Sequence, residues 1–151
     1  MMSRFIGGAV PASVRQALAR DQLSGASGQC IVLVTVDPNN QPRPCLLSVA
    51  ELSVVDDRHL RAFVWPRTMT TANLDRGSTA LFVLAAPPDV FHIRATARRL
   101  PDVQQIAQAR FEFEVTSVEV DGHEGMPVTQ PMSFAATEAF RDSVRRRGSG
   151  S

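Results

Sequence analysis

The stretch FVWPRTMTTANLDRGSTALFVL, residues 63–84, decides how the chain is built. It opens at the end of one apolar segment, is cut at Pro66, whose ring removes a backbone donor, and closes on a second apolar segment, TALFVLA (79–85). Between them lies room for a helix of about two turns that stops at Gly77, a residue suited to the left-handed helix end. The junction concentrates Arg67, Thr68, Thr70 and Thr71 where the first N–H groups of a helix and its dipole favour an anion, the makings of a phosphate cradle. The same residues also read as a plain cap, with Thr68 or Thr70 closing the helix and Arg67 a solvated charge.

Upstream, CIVLVTV (30–36), the turn DPNNQP (37–42) and a return strand from Arg43 to Val55 form a hairpin; Asp56 and Asp57 turn the chain again into RHLRAFV (58–64). Downstream, VFHIRATARR (90–99) alternates between Phe91, Ile93, Ala95, Ala97 and the polar His92, Arg94, Thr96, Arg98. A short helix is predicted around 102–110, then FEFEVTSVEV (111–120), whose alternation changes phase at Thr116 and Ser117 as a β-bulge requires. A helix over 10–23 carries Val10, Val14, Leu18 and Leu23 on one stripe, and SGASGQ (24–29) breaks it. Residues 134–146 are helix-like, with Phe140 and Val144 one turn apart. Six strands joined mostly by hairpins predict a mainly β, antiparallel barrel with peripheral helices. The expected domain is single over 1–151: a barrel core of about 10–120, a C-terminal loop and helix over 121–144, and a disordered tail over 145–151. Strands 43–54 and 79–85 are apolar on both faces, which predicts a partner covering the outside and so a homodimer.

With 16 basic and 15 acidic residues the net charge is +1, which supplies no general attraction to nucleic acid or to an acidic membrane. No apolar run reaches the roughly 18 residues of a membrane span, and the N-terminus lacks a signal-peptide core, so the expected location is cytoplasmic. Cys30 and Cys45 are too few for a disulfide framework, and His59, His92 and His123 are too scattered for a metal site or a hydrolytic triad. Arg94 and Arg98 are expected to pair with Glu112 and Glu114 across neighbouring strands, and Arg145–Arg147 make only a weak, non-specific basic cluster.

Two segments, RPCLLSVAEL (43–52) and FVWPRTMTTANLDRGSTALFVL (63–84), carry a resemblance to the pyridoxamine 5′-phosphate oxidase-like, FMN-binding split β-barrel family, over roughly residues 10–120. Segment 43–52 is similar to the family's second strand with its basic residue; segment 63–84 resembles its Ser/Thr- and Arg-rich turn, Asn-Leu helix and buried strand. The resemblance implies a six-stranded antiparallel split barrel and an FMN held at a homodimer interface. Arg67, Thr68, Thr70 and Thr71 would bind its phosphate, Arg43 and Ser48 would lie near the ribityl chain or phosphate, and Val64 and Trp65 would approach the ring. It further implies a flavin reductase or oxidoreductase working on a small-molecule substrate or NAD(P)H, with deazaflavin or haem as alternative cofactors of the same fold. The sequence departs from the pattern at Met69 and Ser48, where many members carry lysine, and its C-terminal region lacks the Arg-x-His ending of the true oxidases, so vitamin B6 oxidation is not implied. The competing reading is a non-catalytic flavin-, deazaflavin- or haem-binding protein or sensor, or a ligand-free dimeric interaction module.

Overall fold

The structure is a computed structural model and describes residues 2–22 and 27–148; Leu23, residues 24–26 of the helix breaker and residues 149–151 of the predicted tail lie outside them. In chain order the elements are β1 (Met2–Gly7), α1 (Ala12–Gln22), β2 (Ser27–Val36), β3 (Pro42–Ser48), a 3-10 turn (Val49–Glu51), β4 (Leu52–Val54) and β5 (His59–Val64). Then come α2 (Met69–Asp75), β6 (Thr79–Ala86), β7 (Asp89–Arg99), β8 (Ala109–Gly122), β9 (Ser133–Ala135) and α3 (Glu138–Gly148). The strands pair antiparallel in the order β3-β2-β6-β7-β8-β5-β4, with β1 added to β8 and β9 to β2.

Alternation builds the interior. Ile31, Leu33, Phe82, Ile93, Phe111 and Phe113 all point inward and are fully buried, and Phe82 meets Phe113 edge-on at 4.9 Å between ring centres. Val14 and Leu18 of α1 complete the core. Two buried amides join elements whose backbones part. Gln29 bonds both the carbonyl and the N–H of Ala85, at 2.9 and 3.0 Å, where β2 leaves β6 to pair with β9. Asn73 of α2 donates to the Thr35 hydroxyl at 3.0 Å, tying the helix to β2. Such groups must be partnered when buried, so each fixes a geometry as well as a contact.

The mainly β, barrel-like architecture is as expected, and so are the β2–β3 hairpin, α2 with Gly77 at φ +87°, and the bulge. At the bulge the β7–β8 register slips between Arg94 and Ala95, and Thr116 turns its hydroxyl onto the Arg94 carbonyl at 3.1 Å. Four expectations are corrected. The helix-like stretch expected over 134–146 begins as strand, Ser133–Ala135, and the helix that follows, Glu138–Gly148, runs into the expected tail. The predicted single strand from Arg43 to Val55 is broken by the turn at Val49–Glu51, which resets the alternation so that Leu47, Val49 and Leu52 all reach the core. No helix forms around 102–110: Leu100 N–H bonds to the Arg110 carbonyl at 2.8 Å, so the ends of this connection are pinned as a β7–β8 loop, and Ala109 is already strand. Nine strands rather than six are present among the described residues, because β1 is too exposed to alternate and β4 and β9 have three residues each.

The outward face of β3, β2 and β6 stays apolar. Val32 sits between Leu46 and Val83, and Val34 pairs with Leu81; Leu46 is 58% exposed and the other four are half-buried. Among the described residues no helix is long and apolar enough to cross a membrane.

Candidate functional site

Four segments that are distant in sequence enclose a cleft of 730 Å³. The end of β3 and the following turn supply Ser48, Ala50 and Glu51; the end of β5 supplies Phe63 and Trp65. The β7–β8 connection adds Ile106 and Gln108, and the β9–α3 segment adds Phe134, Ala136, Thr137 and Phe140. β9 brings this last segment into place by pairing Ser133 with Gln29, and the Cys30 N–H bonds to the Met132 carbonyl at 2.7 Å. A 90 Å³ hollow adjoins the cleft through Glu51 and Trp65 and reaches Cys45, Leu46, Thr68 and Thr70.

The turn from β5 to α2 is held by its own hydroxyls. Thr68 and Thr71 both donate to the Trp65 carbonyl, at 3.0 and 2.7 Å, and Thr68 caps the helix by accepting from the Thr71 N–H at 3.2 Å. A hydroxyl has one proton, so neither has another to offer a phosphate in this arrangement. Thr70 is buried against Cys45, whose thiol is pushed up by burial, with the Thr70 bond opposing that shift. Arg67 sits at φ 64°, exposed and without a hydrogen bond or ion pair among the described residues. Of the side chains of the predicted phosphate cradle, the Arg67 guanidinium is unengaged among the described residues; Thr68 and Thr71 serve as the cap and Thr70 as a buried contact.

Arg43 and Ser48 are not brought together. Five residues apart on one strand, they face opposite sides and lie about 16 Å from each other at ~3.3 Å per residue. Arg43 donates from Nε to the Asp37 carboxylate at 2.8 Å. The Asp37 carboxyl lies below its ordinary value, lowered first by the Gln41 N–H and then by Arg43. Ser48 does line the cleft, where its hydroxyl donates to Glu51 at 3.1 Å. Val64 is buried in the core, on the opposite side of β5 from Phe63. Trp65 projects into the cleft and is 57% exposed.

Glu51, Phe63, Phe134 and Phe140 went unread in the sequence. Phe63 was readable, since alternation places it opposite the buried Ala62 and Val64. Phe134 and Phe140 were not, because only the three-residue pairing of β9 with β2 carries them to the cleft.

Elsewhere several charges of β5, β7 and β8 pair. Arg61 and Arg98 both bond Glu112, at 3.0 and 3.1 Å, and Arg94 takes Glu119 at 2.9 Å rather than Glu114. A second hollow of 410 Å³, lined by Met2, Arg4, Asp89, His123 and Glu124 among others, lies at the β6–β7 turn and the end of β8. Among the described residues no group of three or more His, Cys, Asp or Glu side chains could hold a metal ion.

No family model matches the sequence. The chain is 25% identical over 95 residues to the uncharacterized Bacillus subtilis protein YclD, an overlap of 62% of either chain, so it spans less than two thirds of that relative's length. Its fold is that of the pyridoxamine 5′-phosphate oxidase-like split barrels. A candidate pyridoxamine 5′-phosphate oxidase from Lactobacillus delbrueckii superposes with a TM-score of 0.59 at 17% identity, covering 78% of this chain and 98% of that one. HupZ from Group A Streptococcus gives 0.57 at 12% identity, covering 72% and 91%, and an F420 reductase gives 0.54 at 12%, covering 72% and 98%.

Proposed function

We propose that the chain is an FMN-binding protein in which the 730 Å³ cleft receives the flavin ring, and that it serves as an oxidoreductase. The observation that carries this is the pair of aromatic side chains left open in the cleft, Trp65 at 57% and Phe140 at 61% exposure. Large aromatics are normally covered, and a flat heteroaromatic ring is the partner their faces suit. The cleft volume also lies within the range of about 300–1,000 Å³ usual for small-molecule sites.

In this reading Trp65, just after β5, and Phe140 of α3 hold the ring, Phe63 and Phe134 keep water from it, and Arg67, which borders neither the cleft nor its hollow, meets the phosphate beyond them. The aromatic walls suit the flat ring, and one guanidinium, that of Arg67, is offered to the phosphate. When bound, the flavin supplies hydride acceptance, and a small-molecule substrate or NAD(P)H is the donor. Deazaflavin and haem are the alternative occupants of the same aromatic cleft. The apolar outward face at Val32, Val34, Leu46, Leu81 and Val83 supports a homodimer with the cofactor at its interface, since monomers seldom leave such a patch uncovered.

The test is the visible spectrum of the purified protein after FMN addition and desalting, followed by NAD(P)H oxidation. Retained flavin bands with turnover support the reading. Bands without turnover leave a flavin carrier or sensor, and no bands at any FMN concentration leave the dimeric interaction module.

A further inference from the structure

The cleft is lined by aromatic, aliphatic and neutral polar groups with one exception. Among the described residues, Glu51 is the single charged side chain bordering either the cleft or its adjoining hollow. It is half-buried, receives one hydrogen bond, from Ser48 to Oε1, and has no ion pair among the described residues. The arginines of the flanking strands do not compensate it: Arg43 is taken by Asp37 and Arg61 by Glu112. Cys45, the other titratable group of the hollow, is kept neutral by burial. A half-buried carboxylate acts through a lower effective dielectric than bulk water, so it discriminates strongly between ligand charges. Aromatic faces such as those of Trp65 and Phe140 attract cations by their ring quadrupole and add to the same preference.

We propose that the cleft selects a flat aromatic cation, such as a quaternised or protonated nitrogen heterocycle, as substrate, with its ring between the aromatic walls and its positive nitrogen toward Glu51. This rests on the reading of the cleft as the ligand site and is independent of which cofactor shares it. The cleft's 730 Å³ lies in the upper half of the usual range, which leaves space for a second ring beside a cofactor ring.

The probes are three flat tricycles of similar shape, namely N-methylacridinium, neutral N-methylacridone and anionic anthracene carboxylate, titrated into the full chain by fluorescence with and without saturating FMN. The expected order is cation over neutral by about tenfold, with the anion weakest. Glu51→Gln is expected to bring the cation down to the level of N-methylacridone while leaving N-methylacridone itself unchanged, which separates lost charge from lost fold. The parent's cation-to-neutral ratio needs no variant and decides the matter if Glu51→Gln does not fold. A parent that binds the anion as tightly as the cation, or a folded Glu51→Gln that keeps the preference, overturns the proposal. A parent that binds FMN without preferring the cation overturns this inference and leaves the flavin reading standing. One that prefers the cation and ignores FMN does the reverse.

Discussion

Glu112 stands on a strand of the sheet and Glu51 in the turn between β3 and β4, and the two live in opposite surroundings. Glu112, on the outer face of β8, is held by two guanidiniums, those of Arg61 and Arg98, in a row of paired charges that also joins Arg94 to Glu119. Glu51, at the cleft, has the Ser48 hydroxyl alone. Behind the first lies a closed core of Phe111 and Phe113; beside the second, Trp65 and Phe140 stand open. Where the carboxylates are ion-paired and the rings covered, the residues serve the fold. Where a carboxylate lacks an ion pair among the described residues and two large aromatics stand open, our reading places a ligand.

The largest expected effect breaks the closed side. Phe113→Ala removes a fully buried ring that meets Phe82 and Phe111 and should cost about 3–5 kcal/mol of stability, measured by urea unfolding. The open side should answer differently to the same kind of change. Trp65→Ala and Phe140→Ala should each leave unfolding within about 0.5 kcal/mol of the parent, since neither ring is covered, while FMN affinity falls by about 0.5–1.5 kcal/mol or more. Calorimetric titration beside the melts checks both halves, and loss of stability without loss of binding would make these rings structural after all.

The turn offers a comparison within seven residues. Arg67→Ala should weaken FMN by about tenfold with stability unchanged, because the guanidinium bonds to nothing among the described residues. Thr68→Ala should cost about 1 kcal/mol of stability through the lost helix cap and change FMN affinity less.

The smallest effect is one of acidity. The bonds from Arg61 and then Arg98 hold the Glu112 carboxyl below its ordinary value of 4.5. A folded-state pKa below the unfolded one gives stabilisation that is present above the unfolded value and lost as pH falls through the folded one. The stability difference between the parent and Glu112→Gln should therefore be level above about pH 5 and shrink on further acidification. Denaturation across pH 3–7 reads it, and a difference that grows in acid would contradict the pairing.

How much of this was legible in the sequence follows from where each signal resides. Strong alternation in β5, β7 and β8, the Asp37 turn, Gly77 and the Thr116 bulge are local, and each could be read from neighbours in the chain. The interruption at Val49–Glu51 was hidden because Leu47, Val49 and Leu52 are all apolar, so one apolar run served two strands. The loop at 102–110 has helix-forming residues but is pinned by long-range pairing, which overrides local propensity. At the site, the hydroxyl-rich turn was found with two readings, cradle and cap, which neighbours in the chain do not separate; the three-dimensional bonds to the Trp65 carbonyl add the capping role. The bond from Arg43 Nε to Asp37, six residues earlier across the turn, was likewise not read.

Trp65 is the only tryptophan and the chain has no tyrosine, so intrinsic emission reports the cleft wall alone. The most direct measurement is acrylamide quenching of that emission as FMN is titrated to saturation, read on the residual fluorescence. A cleft that takes the flavin ring predicts ready quenching in the free protein and a marked loss of acrylamide access as FMN binds, with the same midpoint as the change in flavin absorbance. FMN bound with Trp65 as open to acrylamide as before would contradict the assignment of the cleft.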